Sequence, residues 1–146
     1  MNEAKRFGKA LKALLNEPAV YGHFLDEQTG FGTWTAGGCG GLGVALVEWL
    51  GPKASLWAVY DDIGVLHHVV VRVGDWFLDG DGVARGRTIL RRAEEWEFLP
   101  EPTLEPFVPV ACEFVWDSYR KTEDLVGLLE DRFGAGGAVA RILERS

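Results

Sequence analysis

The sequence predicts an α+β fold, and three observations carry that expectation. An amphipathic helix opens the chain, and a glycine-rich turn runs into a second helix within Thr35–Leu50. Residues 55–79 then break into short β-prone stretches joined by hairpin-like turns. A chain of 146 residues is long enough to bury a proper core, so a single domain over 1–146 is expected. Its 47% apolar and 25% charged residues are the composition of a soluble globular protein. A net charge of -7 argues against nucleic acid as a generic partner, because phosphate binding needs a basic surface. No apolar run approaches the roughly 18–20 residues of a membrane span, so no membrane partner is expected either. The opening MNEAKRFGKALKALLNE is amphipathic and charged, unlike the uninterrupted apolar centre of a signal peptide. Two cysteines, Cys39 and Cys112, make no disulfide framework and point to a reducing cytoplasm.

Each element follows from its pattern. Over 3–16, Phe7, Leu11, Leu14 and Leu15 recur at helical steps with lysines on other faces, and Pro18 is expected to close that helix. Residues 19–38 read as an irregular, aromatic-rich loop packed over the body, in which Tyr21, Phe24, Phe31 and Trp34 would border a cleft. From Cys39 or Gly40 to Leu50 a helix buries Leu42, Ala45, Leu46, Trp49 and Leu50, and Gly51-Pro52 stops it. Cys39, three residues before Leu42, falls on the same stripe. Strands are expected at 55–61, 66–73 and 75–79, with antiparallel connections at Asp61–Gly64 and Val73–Asp75 and an end at Gly80–Gly82. The charged, proline-punctuated stretch 83–109 reads as an extended, solvated wrap. A C-terminal helix carries Leu125, Leu128, Leu129 and Phe133 on one face, followed by a short helical segment over 138–145.

The chemistry centres on Cys39. A cysteine at a helix N-terminus feels the positive end of the dipole, which favours thiolate. A thiol nucleophile needs a base, and the base needs an orienting partner. His67 and His68 open the most β-prone strand, and Asp79 ends the next. Strand alternation puts His67 on one face with Val69, Val71 and Val73, which reads as core. It puts His68 with Val70 and Arg72, a mixed face suited to a cleft, and His68 is therefore preferred as the base. Cys112 precedes an apolar-aromatic run and is expected to be structural, and His23 sits in the aromatic loop, a minor candidate for lining the cleft. No cysteine or histidine pair has metal-ligand spacing, so neither metal nor cofactor is expected.

Cysteine at the head of a helix, then HVVVRVGDWFLD, resembles the core of the papain-like and transglutaminase-like cysteine hydrolases. It also resembles their small bacterial and phage amidase-like members. His68, Val71, Val73, Trp76 and Asp79 carry the match, over about residues 34–82. The resemblance implies a papain-like fold, with the nucleophile helix on an antiparallel sheet and flanking N- and C-terminal helices. It implies hydrolysis or acyl transfer on an amide or thioester through Cys39, with His68 as base then acid and Asp79 fixing its tautomer. A peptide or small amide would be the substrate, and a host or partner protein could supply it. The chain departs from the family in two places. Gln28 lies eleven positions before the cysteine, too far for the usual oxyanion-binding glutamine, and Gly40 replaces the usual tryptophan after it. The Cys39 backbone N–H and the Trp34 indole are the remaining candidate donors to an oxyanion.

Two other readings stand beside this one. Gly38–Gly43 also satisfies G-x-G-x-x-G, and Asp61 lies 18 residues past Gly43, near where a ribose-binding acid falls in a dinucleotide site. Against that, hairpins follow where strand–helix crossovers would be needed. Alternatively Cys39, either histidine and Asp79 are packing and turn residues of a non-catalytic binding or inhibitor protein.

Overall fold

A computed structural model describes residues 2–25, 33–34, 38–108 and 119–146, with backbone alone for Tyr119 and Arg120. Gln28, Phe31 and Cys112 lie outside the described residues. The chain folds as α+β, with six helices and a five-stranded antiparallel sheet among the described residues.

Helix α1 spans Glu3–Leu15 and is capped by Asn2, whose side chain accepts from the Lys5 N–H at 2.8 Å. It buries Ala4, Gly8, Leu11, Leu14 and Leu15. The expected irregular stretch after it is helical at its start. Pro18 does not simply close α1; it opens α2, Pro18–Phe24, from the first turn, where a missing N–H costs nothing. Helix α3 is Cys39–Leu50, as its pattern predicts, and ends at Gly51.

Three strands follow close to their expected bounds: β1 Ala54–Tyr60, β2 Leu66–Val73 and β3 Trp76–Asp79. The β1–β2 hairpin is held by Asp61, which accepts from the N–H groups of Ile63 (3.0 Å) and Val65 (2.9 Å). The β2–β3 turn needs φ of 59° at Gly74, a conformation that glycine adopts without steric cost.

The stretch 83–109 differs most from the expected solvated wrap. Gly82–Arg85 forms a fourth strand, β4, and the basic run is a helix, α4, Gly86–Trp96. Ile89 and Ala93 are its buried stripe, and the charges cover its outer face. Only the proline-rich end is extended, where Thr103–Pro106 makes edge strand β5. The sheet order is β4-β3-β2-β1-β5. Helices α5, Tyr119–Phe133, and α6, Gly136–Arg145, close the chain.

The sheet separates two cores. On one face α1, α3, α5 and α6 pack over Val71, Val73, Trp76 and Leu78. On the other, α4 packs over Val59, Val70, Phe77 and Ala84. Each fully buried leucine of the larger core, such as Leu42, Leu46 or Leu129, contributes roughly 1.5–3 kcal/mol. The smaller core makes a second layer and leaves room for a cleft.

Close approach in the larger layer depends on glycine. A Cβ at Gly8 in α1 would stand 2.6 Å from the Val83 nitrogen and 2.8 Å from its Cβ, both in or next to backbone. By contrast, a Cβ at Gly127 in α5 meets nothing within 4 Å. Gly8→Ala is therefore expected to lose about 1–3 kcal/mol despite the better helix former. Gly127→Ala should gain up to about 1 kcal/mol. Urea denaturation midpoints at constant slope check both signs.

Candidate functional site

Cys39, His68 and Asp79 come together at the junction of the two layers, each by a different route. Cys39 is the first residue of α3 and is 1% exposed. In the first turn of a helix the backbone N–H groups are not used by the helix's own hydrogen bonds. His68 lies opposite Val59 on β2, on the face that carries α4, and is 8% exposed. Asp79 ends β3 and is 4% exposed.

The meeting is possible because β3 is short. It pairs only with Val71, Arg72 and Val73 of β2, so at Val69 the strand has passed its neighbour's end. There the Val69 N–H donates to Cys39 Sγ at 3.5 Å. Strand N–H groups lie in the plane of the sheet. A thiol carried by the α3 layer thus reaches the sheet edge beside a histidine that belongs to the opposite face.

His68 Nε2 and Asp79 Oδ2 are 2.9 Å apart. The other oxygen of Asp79 accepts from the Asp81 N–H at 2.8 Å, which ties the carboxylate to the β3–β4 turn. With Nε2 taken by Asp79, Nδ1 is the ring nitrogen left for the thiol. Nδ1 is buried and makes no hydrogen bond of regular geometry among the described residues. Cys39 is nonetheless near enough to act on the ring. Burial opposes a charge on His68, yet Asp79, through its hydrogen bond and charge, and Cys39 together push its pKa up to about 10.

His67 takes the other direction. It is half-exposed, not part of the core its strand face suggests, and its Nε2 lies 2.8 Å from Asp61 Oδ2. That contact, with the Val65 and Ile63 N–H groups, holds the Asp61 carboxyl below its usual range. His67 therefore belongs to the hairpin turn. Asp61, the candidate ribose-binding acid, is fully engaged there.

The expected aromatic border is differently arranged. Trp34 is buried and its indole N–H donates to the Leu15 carbonyl at 2.7 Å, so it is committed away from an oxyanion at Cys39. Phe24 lies in the core beneath it. His23 pairs with Asp124 at 3.3 Å in a separate groove between α2 and α5. One glycine of α3 serves packing: a Cβ at Gly43 would stand 2.9 Å from Leu56 Cδ2 and 3.1 Å from Val69 Cγ1. With an antiparallel sheet behind them, the glycines of α3 do not head a parallel strand–helix–strand unit among the described residues.

A cleft of about 360 Å³ opens on the His68 face. His68, Asp79, Asp81 and Val59 form its sheet side, and Ile89, Arg92, Ala93, Trp96 and Glu97 its α4 side. The α4 wall was missing from the sequence reading because α4 itself was. The stripe Ile89, Arg92, Ala93, Trp96 at steps of three and one is the signal that could have found it. Comparison with protein-family models, with curated proteins and with solved structures gives no match.

The raised His68 pKa has a definite sign. A folded value near 10 against an ordinary 6.5 means its contribution to stability is complete below pH 6.5 and is lost as pH rises through about 10. The free energy of unfolding is expected to decline across that window, and His68→Gln should flatten the decline. Asp79→Asn should return the imidazole titration toward its ordinary value. Histidine proton shifts followed by NMR against pH, beside denaturant curves, check both.

Proposed function

We propose that the protein is a cysteine-dependent hydrolase or acyltransferase acting on an amide or thioester. The observation that carries this reading is the buried His68, held by Asp79 at one nitrogen and with the other left toward Cys39. The sulfur of Cys39 attacks the substrate carbonyl carbon and forms a C–S bond. His68 delivers its proton to the leaving nitrogen or sulfur as the bond to it breaks, and a thioester remains on Cys39. Neutral His68 then takes a proton from water, or from an acceptor amine or alcohol, which attacks the thioester. The acyl product leaves, and sulfur and imidazole return to their starting state. Asp79 keeps Nε2 occupied and stabilises the imidazolium between steps. The Val69 backbone N–H donates to the sulfur and, with the positive end of the α3 dipole, supports negative charge there.

One observation favours a second reading, a non-catalytic binding protein. Cys39 is buried and is absent from the walls of the cleft, as a packed core cysteine would be. On that reading the cleft binds a ligand without chemistry.

Alkylation by iodoacetamide, read at Cys39 by peptide mass spectrometry, separates the two. Catalytic activation predicts labelling that persists well below the ordinary cysteine pKa of about 8.5. His68→Gln should then slow labelling at pH 6 by at least about tenfold, because the variant lacks the base that takes the thiol proton. An ordinary thiol titration that ignores His68→Gln would reject the enzyme.

A further inference from the structure

The α4 wall of the cleft carries a cation, Arg92, that forms no ion pair among the described residues. Three arginines lie over aromatic rings among the described residues. Arg72 and Arg85 sit over Trp57 and Trp76, and both reach Asp75, at 4.0 Å and 3.9 Å. Arg92 lies over Trp96, its Cζ 5.2 Å from the ring centre, and makes no ion pair or hydrogen bond among the described residues. It is half-buried, in the wall of the same cleft that exposes His68 and Asp79. A guanidinium held near an indole by cation–π attraction keeps its N–H donors free, and arginine uses those donors to recognise a carboxylate with two hydrogen bonds.

The rest of the lining limits what fits. Val59, Ile89, Ala93 and the 61%-exposed Trp96 ring offer apolar surface for a flat or aliphatic group. Asp81 and Glu97 also line the cleft and repel additional negative charge, so a polyanion such as a phosphate chain is disfavoured. Asp81 is itself drawn toward Lys12, 3.9 Å away, and His68 answers Asp79. What remains is the Arg92 cation and the Glu97 carboxylate on the α4 wall, beside an apolar surface and facing a wall that bears the His68–Asp79 pair. The two opposite charges leave room for one added anion at Arg92 but not for several.

We propose that Arg92 and Trp96 form a specificity site for an acyl substrate bearing a single carboxylate next to an apolar, preferably aromatic, group. The assignment rests on the acyl-transfer reading for its meaning, and on the cleft alone for its binding. The carboxylate can come from an acidic side chain or from the end of a peptide, since both present the same planar anion. Arg92 holds the anion, Trp96 covers the apolar group, and the adjoining carbonyl is directed toward His68.

Calorimetric titration of the full chain with phenylacetate, and with phenylacetamide as its neutral twin, tests this without requiring turnover. Phenylacetate is expected to bind at least about tenfold more tightly, the scale of one charge-assisted hydrogen-bonded pair. Arg92→Gln should erase that gap, Arg92→Lys should restore part of it, and Trp96→Ala should weaken both compounds several-fold. Acetyl-phenylalanine and acetyl-aspartyl-phenylalanine amide then distinguish a chain end from an acidic side chain; tight, Arg92-dependent binding of either supports the site. Equal binding of the acid and amide, or a gap that survives Arg92→Gln, overturns it. Binding that depends on Arg92 in a protein whose Cys39 labelling ignores His68 would retain the carboxylate site and reject the acyl transfer.

Discussion

Strand β2 is covered on both faces, and that constraint decides where every group of the site can stand. Its alternate side chains feed different cores: Val71 and Val73 enter the α1–α3 layer, and Val70 enters the α4 layer. His68 belongs to the second set by parity alone. A thiol at the head of α3 belongs to the first. Two groups assigned to opposite faces of a sheet meet only at an edge or a gap, and here β3 supplies the gap by ending at Asp79. The same residue that ends the strand is the one that receives His68. The short strand therefore opens the way for the sulfur and orients the imidazole.

The polar triangle is costly to bury, so its partners must be held firmly. An imidazolium and a carboxylate removed from water recover their solvation only through good geometry and further hydrogen bonds. Asp79 has both: His68 at one oxygen and the Asp81 N–H at the other. The turn joining β3 to β4 consequently acts on the histidine through the carboxylate. It is itself fixed by α1, because Gly8 lets that helix press directly on Gly82 and Val83. A packing contact in the N-terminal helix is thus two steps from the charge of His68.

The parts legible from sequence were those with one strong period. Cys39–Leu50 has a clean helical stripe, and in HHVVVRV the one charged residue, Arg72, shares a face with His68, so strand parity favours His68 over His67 before any contact is known. Hidden parts had a local signal in conflict with tertiary context. Pro18 reads as a stop, but a proline also starts a helix well. In α4 the buried stripe is only Ile89 and Ala93 in a field of arginines and glutamates, so charge obscured the period. Trp34 had the right chemistry for a donor, and only the fold could reveal that Leu15 takes its N–H. The cost of missing α4 was the whole far wall of the cleft, including Arg92 and Trp96.

The glycine-rich turn at Cys39 takes on a physical role distinct from either motif it resembles. Gly43 allows α3 to lie against Leu56 and Val69. Val69 is also the residue whose N–H meets the sulfur. The distance between helix and sheet, set by a missing side chain at Gly43, is then the same distance that brings Cys39 into the gap beyond β3. A bulkier residue there would lift the start of α3 from the strand and withdraw the thiol from His68, leaving the His68–Asp79 pair intact on the other face. The depth of Cys39 is a packing property of α3, and the orientation of the His68–Asp79 pair is a property of the β3–β4 turn. The site exists where these two independent constraints intersect.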